Sequence, residues 1–548
     1  MAGFRTSRRP FSLRHYIGFT RSELIPRHPL SVLFATMSTA FDEGERFDRV
    51  ESQRTSADAT AVHGTTDPMH DEEIENTGTA LPPGWDNDPE NPYNFSKSTK
   101  WKQAGIIGLY TLTSPLASSM LAPGLTQMAI TFKTRDPTLV AMILSIFVLG
   151  FAIGPMVYGP LSEVYGRRWV LHFSAATFLI FNTVSIWAPN LTAILLFRLL
   201  AGLFGSAAVA IGGGVISDLF RPDERAAAMG LYSLGPLLGP IIGPIAGGFI
   251  AGGPGYKYIF VTVSVLAAVA MLIGLPGLKE SYAPVILQQR ARRQYQEAIA
   301  NGEPTEKIIL PNKASLGHVL WINLTRPLDM LFRSLIISAL SIYISVIFGI
   351  FYLCLTTFPL VFESIYHWKT SVVGLAYLGL GFGFFFAAVI GSGVMNKVYL
   401  DLKAKNGGVA TPEFRLPGMI VGSIVVPAGL ILYAWTARES VHWVVPIIGS
   451  GIFSAGTMLC MIPIQLYLVD SYEYAASALA TNALLRSLFG FAFPLFAQRL
   501  FENLGIGPGN TLLAGLAVLL GVPFPIFLWY RGDRLRAMDR FTRKVPVQ

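Results

Sequence analysis

The chain has 548 residues, of which 52% are hydrophobic and only 14% charged, and its mean hydropathy is +0.48. Soluble chains carry about a quarter charged residues, so this composition excludes an ordinary water-soluble fold. The net charge of +8 comes from lysines and arginines in loops beside apolar runs, which points to membrane topology and away from nucleic acid.

Residues 1–100 are polar, with clusters such as Asp71-Glu72-Glu73, and are expected to form a disordered cytosolic tail. Beyond Trp101, apolar stretches fall near 102–123, 138–160, 169–188, 191–217, 228–251 and 257–277. Each is long enough to cross about 30 Å of hydrocarbon as a helix. A second set follows near 334–361, 371–396, 417–436, 442–469, 475–499 and 509–530. The expectation is an all-α membrane protein of 12 transmembrane helices, with a six-helix half over 101–277, a cytosolic linker over 278–333, a second half over 334–530 and a cytosolic tail over 531–548.

Arg167 and Arg168, Arg221 and Arg225, Arg290, Arg292 and Arg293, Lys403 and Lys405, and the cations from Arg531 onward all fall on one side of these spans. The positive-inside rule makes that side cytosolic, with both termini on it. Two six-helix halves around a long linker is the architecture of major facilitator transporters, whose substrate site lies near mid-membrane between the halves. Cys354 and Cys460 sit inside apolar runs and read as packing residues. No GxxxxGK[ST] string occurs, the eight histidines lack metal-ligand spacing, and no nucleophile–base pair stands out, so neither cofactor, metal nor enzymatic activity is expected.

Between the second and third spans stands Gly159-Pro160-Leu161-Ser162-Glu163-Val164-Tyr165-Gly166-Arg167-Arg168, a tight turn with a carboxylate before it closes and two cations after. It resembles the loop signature of the major facilitator superfamily, with Glu163 in place of the commoner Asp and Val164 at a position often basic. The resemblance implies that Glu163, Arg167 and Arg168, shaped by Gly159 and Gly166, latch the two halves on the cytosolic side. In the fourth span, Arg198 is followed by Gly202 and Gly205. A guanidinium there must face a partner or a wet cavity, or else snorkel to the interface. The spacing resembles the family's fourth-helix motif, whose Arg is implicated in proton coupling, although Ala201 stands where Gln is frequent.

The fifth span reads GLYSLGPLLGPIIGPIAGG over Gly230 to Gly248, with Gly235, Gly239, Gly243 and Gly247 on one helical face and Pro236, Pro240 and Pro244 beside them. Glycines at this period permit close helix approach, and each proline removes a backbone hydrogen bond and bends the span. The Gly-Pro version resembles the antiporter motif of proton-coupled drug exporters. Asp88-Pro89-Glu90-Asn91-Pro92, the Lys279-to-Leu287 string KESYAPVIL and the Pro412-to-Pro417 string PEFRLP add to the likeness, which covers about residues 85 to 535. Together they resemble the fungal twelve-spanner drug:proton antiporters.

That resemblance implies a monomeric plasma-membrane protein whose partners are the bilayer, a small-molecule substrate and protons. It would export amphipathic organic molecules such as drugs, toxins or secondary metabolites in exchange for protons by alternating access. The alternatives are a proton-coupled importer and a non-transporting membrane sensor. Substrate contact is expected from polar or aromatic residues inside spans: Tyr110 and Ser114 in the first, Tyr352 and Thr356 in the seventh, Gln465 in the tenth, and Asn482 and Arg486 in the eleventh. No acid lies deep within a span, so the sequence singles out no proton carrier.

Overall fold

The computed structural model describes residues 84–221, 224–301 and 316–543. Most of the expected N-terminal tail (1–83), part of the linker (302–315) and the last residues (544–548) lie outside the described residues. The described residues form helices and turns without strands. Among the described residues twelve helices are long and apolar enough to cross a membrane: α1 Lys97–Thr131, α2 Pro137–Tyr165, α3 Arg167–Trp187, α4 Leu191–Leu219, α5 Ala227–Gly252, α6 Lys257–Gly277, α7 Leu335–Ser364, α8 Thr370–Lys405, α9 Pro412–Thr436, α10 Val444–Ser471, α11 Ala475–Leu504 and α12 Ile506–Met538.

Local chemistry sets several of these starts. The Asp136 carboxylate accepts the Thr138 N–H at 2.9 Å ahead of α2, and the Asn190 side chain accepts the Ala193 N–H at 2.9 Å ahead of α4. Ser334 caps α7 by accepting the Ile337 N–H at 3.3 Å. α1 is interrupted by a tight turn at Ala122–Gly124, and α8 widens into a π-turn at Ala387–Gly391.

The helix contacts repeat with an offset of one half. In the first half α1 packs on α5, α2 on α4, α3 on α4 and α3 on α6; in the second half α7 packs on α11, α8 on α10, α9 on α10 and α9 on α12. Across the seam α2 meets α11 and α5 meets α8, which the same offset also interchanges. This is the signature of two structural repeats facing each other around a central axis. Large apolar side chains such as Phe173, Ile180, Leu272, Phe382 and Leu519 stay exposed on the outside of the bundle, where lipid would meet them.

The tail expected to be disordered up to residue 100 is folded from Gly84 onward. Trp85 and Asn91 are buried, and the Asn91 amide donates to the Trp85 carbonyl at 3.0 Å. A linker helix, Ala283–Asn301, supplies the reason: the Arg290 guanidinium donates to both Asp88 carboxylate oxygens at 2.7 and 2.8 Å and to Glu90 at 2.9 Å. Local composition could not reveal a partner 200 residues away. A second linker helix, Leu316–Arg333, packs on α2 and α11. At the other terminus α12 runs to Met538, past the expected end at 530, because the Arg536 guanidinium grips Glu413 at 2.8 and 3.0 Å.

The Arg290 guanidinium, with help from the Glu90 backbone N–H, holds the Asp88 carboxyl below its ordinary value of 3.8. A carboxyl depressed by folding contributes stability that is full above its unfolded value and fades as pH falls through the folded one. In detergent, pepsin cleavage within residues 84–96 is therefore expected to stay slow until pH drops below the ordinary carboxylate range. Asp88→Asn should make cleavage fast, with its acid dependence at this site removed.

Candidate functional site

At the arginine-rich end, the turn between α2 and α3 depends on Gly166, whose φ of 94° favours glycine and whose missing Cβ leaves room for the Glu280 carboxylate. Glu280 accepts the Arg167 and Arg168 backbone N–H groups at 2.9 and 3.2 Å, so an anion sits on the first turn of α3. The Arg167 side chain donates to Ser162 at 2.6 Å, pairs with Asp218 at the end of α4 at 3.2 Å and lies over the Tyr282 ring at 4.8 Å. Ser281 donates to Asp218 at 3.3 Å. The KESYAPVIL string thus has a structural job, since Glu280, Ser281 and Tyr282 all secure this turn.

Glu163 is exposed on the same turn and couples electrostatically to Arg167, and Arg167 pairs with Asp218 at 3.2 Å. A Cβ at Gly159 would meet open space. The second half repeats the arrangement: Arg415 at the start of α9 pairs with Asp470 at the end of α10 at 3.0 Å and rests on the Tyr399 ring at 3.7 Å. The PEFRLP string supplies that arginine, and its Glu413 is the residue gripped by Arg536.

The four-residue glycine repeat of α5 faces α1. A Cβ at Gly235 would lie 2.6 Å from Thr111 Oγ1 and one at Gly239 would lie 2.5 Å from Pro115 Cβ; Gly243 and Gly247 abut Ser119 and Met120 in the same way. Ser119 reaches across to the Gly239 carbonyl at 3.0 Å. The neighbouring face of α5 meets the other half: a Cβ at Gly252 would lie 2.6 Å from the Ser371 backbone N, and Gly374 closes against the Pro244 carbonyl. Pro236 and Pro240 are half-buried and Pro244 buried between these contacts. One helix is therefore clamped to its own half on one face and to the opposite half on another.

Arg198 is 1% exposed, so it does not snorkel. Its guanidinium donates to the Ala117 carbonyl of α1 at 2.9 Å and the Ile143 carbonyl of α2 at 3.2 Å, and lies over the Phe147 ring at 4.5 Å. Its Nη2 is buried without a partner. Close by, Ser118 and Tyr352 hydrogen-bond across the seam at 3.1 Å. Tyr352 couples electrostatically to both Arg198 and Arg486. Phe348 lies 5.0 Å from the Tyr352 ring and carries the Arg486 guanidinium over its face at 4.8 Å. Arg486 also points Nη1 at the Met461 sulfur, 3.8 Å away, while its buried Nε and the buried Asn482 Oδ1 lack partners.

Of the residues expected to contact substrate, Tyr352 and Arg486 thus gather with Arg198 at the seam, and Asn482 is buried one turn before Arg486 on α11. Gln465 is half-buried one turn beyond Met461 on α10. Thr356 spends its hydroxyl on its own helix, donating to Leu353 O at 2.9 Å. Tyr110 turns into the first half, with its hydroxyl 3.2 Å from His172 Nδ1 beside a cavity of about 20 Å³, room for roughly one water. Ser114 packs there too, against Gly205. Phe147, Phe348 and Met461 were missed because an aromatic or Met in an apolar helix looks the same in sequence whether it faces lipid or ligand. Asp218 and Glu280 stand in the sequence as acids at span edges, with nothing local to mark the turn they secure.

Twelve spanning helices, two repeats and polar groups converging where the repeats meet define a polytopic membrane protein with a transporter fold. Residues 107–494 match the profile of the Major Facilitator Superfamily, and the chain belongs to that family. It is 40% identical over 461 residues to "MFS transporter cpaT" of Aspergillus oryzae, a match covering 84% of this chain and 92% of that protein. It is likewise 40% identical over 461 residues to "Efflux pump vrtL" of Penicillium aethiopicum, covering 83% and 90%. Among solved structures, the partially occluded inward-open xylose transporter XylE of E. coli superimposes with a TM-score of 0.58 at 15% identity, over 79% of this chain and 98% of that one, which reports the fold alone.

Two glycines in neighbouring motifs separate packing from mere presence. Gly239→Ala forces α5 from α1 and should cost about 1–3 kcal/mol, whereas Gly159→Ala should leave thermal unfolding in detergent unchanged. Asp218→Asn strips the carboxylate from Arg167 and should cost about 1–3 kcal/mol, read as a lower unfolding midpoint in the same assay.

Proposed function

We propose that the protein is a proton-driven exporter that moves small amphipathic organic molecules out of the cytosol by alternating access. The observation that carries the reading is α5, whose glycine face is locked to α1 while its next face closes on α8. A helix held to both halves couples their relative rotation to packing within the first half. The names of the similar efflux pumps support the direction of transport.

The arginine-rich end faces the cytosol in this reading. The α5–α8 contact and the Thr126–Glu363 hydrogen bond at 3.4 Å then join the halves on the outer side, which supports reading this arrangement as closed to the outside. Rocking the halves open there would separate Gly252 from Ser371. The Arg167–Asp218 and Arg415–Asp470 pairs each lie within one half, so both would travel intact. Glu163 would contact the second half when the inner side closes, a role its exposure on this turn supports.

The test is efflux of preloaded fluorescent compounds from yeast lacking its own drug pumps. Export above the empty-vector level, abolished by a protonophore and reduced at least about tenfold by Arg198→Ala, is the expected outcome, since removing a buried, hydrogen-bonded cation costs more than about 1.4 kcal/mol. Accumulation above the empty-vector level would establish import and overturn the direction.

A further inference from the structure

The two arginines at the seam differ from every other arginine whose ion pair the structure records. Arg167, Arg290, Arg333, Arg415, Arg499, Arg536 and Arg540 each meet an acid. Arg198 and Arg486 meet backbone carbonyls, aromatic faces and a thioether, and the ionisable group each senses is the Tyr352 hydroxyl. A guanidinium carries five N–H donors and stays charged, so carbonyl dipoles and ring faces leave both charge and donors unspent. Those unspent donors are Nη2 of Arg198 and Nε of Arg486, both buried. Two like charges flanking one tyrosine in a low-dielectric interior cost free energy until an anion joins them.

The surroundings say what kind of anion. Phe147, Phe348 and Tyr352 present ring faces or edges on both sides of the seam, and Met461 adds a polarisable thioether. A strongly hydrated inorganic ion gains little from such walls, whereas a flat unsaturated body gains stacking area. We propose that the exported substrate is an organic anion, an aromatic or conjugated molecule bearing a carboxylate or an acidic enol or phenol, with its charged oxygens held between Arg198 and Arg486. This rests on the exporter reading and narrows its substrate. Because Arg198 belongs to the first half and Arg486 to the second, one anion bridges the two repeats. Its release at the outer side leaves two facing cations that repel until the halves rotate back.

The probe is a matched set: 9-anthracenecarboxylate, its methyl ester and 9-(aminomethyl)anthracene, which are anionic, neutral and cationic near neutral pH. Binding to the purified full chain in detergent, followed by anthracene fluorescence, should favour the carboxylate over the other two by at least about tenfold, the value of one charge-assisted hydrogen bond. Arg486→Gln should abolish that preference and Arg486→Lys should keep part of it. Equal or stronger binding of the ester or amine overturns the proposal, as does a folded Arg486→Gln protein that retains the preference. If Arg486→Gln does not fold, the three-way comparison on the wild type decides alone. Proteoliposomes separate the two readings: carboxylate binding without proton-driven movement leaves the anion site standing and sinks the exporter, while proton-driven movement of the amine or ester in preference to the acid does the reverse.

Discussion

The structure depends on how closely α5 can approach its neighbours. In hydrocarbon the hydrophobic effect does not press helices together, so association rests on van der Waals fit and hydrogen bonds between helices. Gly235, Gly239, Gly243 and Gly247 let the α5 backbone lie directly on α1, with Ser119 bonding across to Gly239. Gly248 and Gly252 do the same towards α8. Side chains on the first face would push α5 from α1 and loosen the wall that holds Ser118 opposite Tyr352, and side chains on the second would part α5 from α8. The seam is therefore as much a product of the residues without side chains as of those that line it.

Charge is sorted by depth. At the arginine-rich end two pairs are local to one half and backed by a tyrosine ring, Arg167 with Asp218 over Tyr282 and Arg415 with Asp470 over Tyr399. At mid-span the cations are left without acids. Seven arginines elsewhere meet an acid, whereas these two meet carbonyls, rings and a thioether where the halves join.

Much of the architecture was legible because a bilayer forces long apolar runs and penalises charge within them. The six-plus-six arrangement follows from that rule, and the spans begin and end close to where the apolar runs do. The fold of residues 84–100 was not legible, because it is produced by Arg290 on a distant linker helix. Of the candidate site, Arg198, Tyr352 and Arg486 could be picked out as polar groups in apolar helices. Their meeting could not, since the direction each side chain takes depends on which helix packs beside it. Tyr110 shows the converse: equally conspicuous in sequence, it turns away to His172.

The matching Arg–Asp clamps have a bearing on ancestry and on engineering. One solution, tying the start of a half's third helix to the end of its fourth, occurs twice in the chain, in strings as dissimilar as GPLSEVYGRR and PEFRLP. The half is thus the unit in which these clamps are complete, as a duplicated ancestral segment would leave it. A chimaera that exchanges whole halves at the linker inherits each clamp entire, whereas a crossover inside a half divides one.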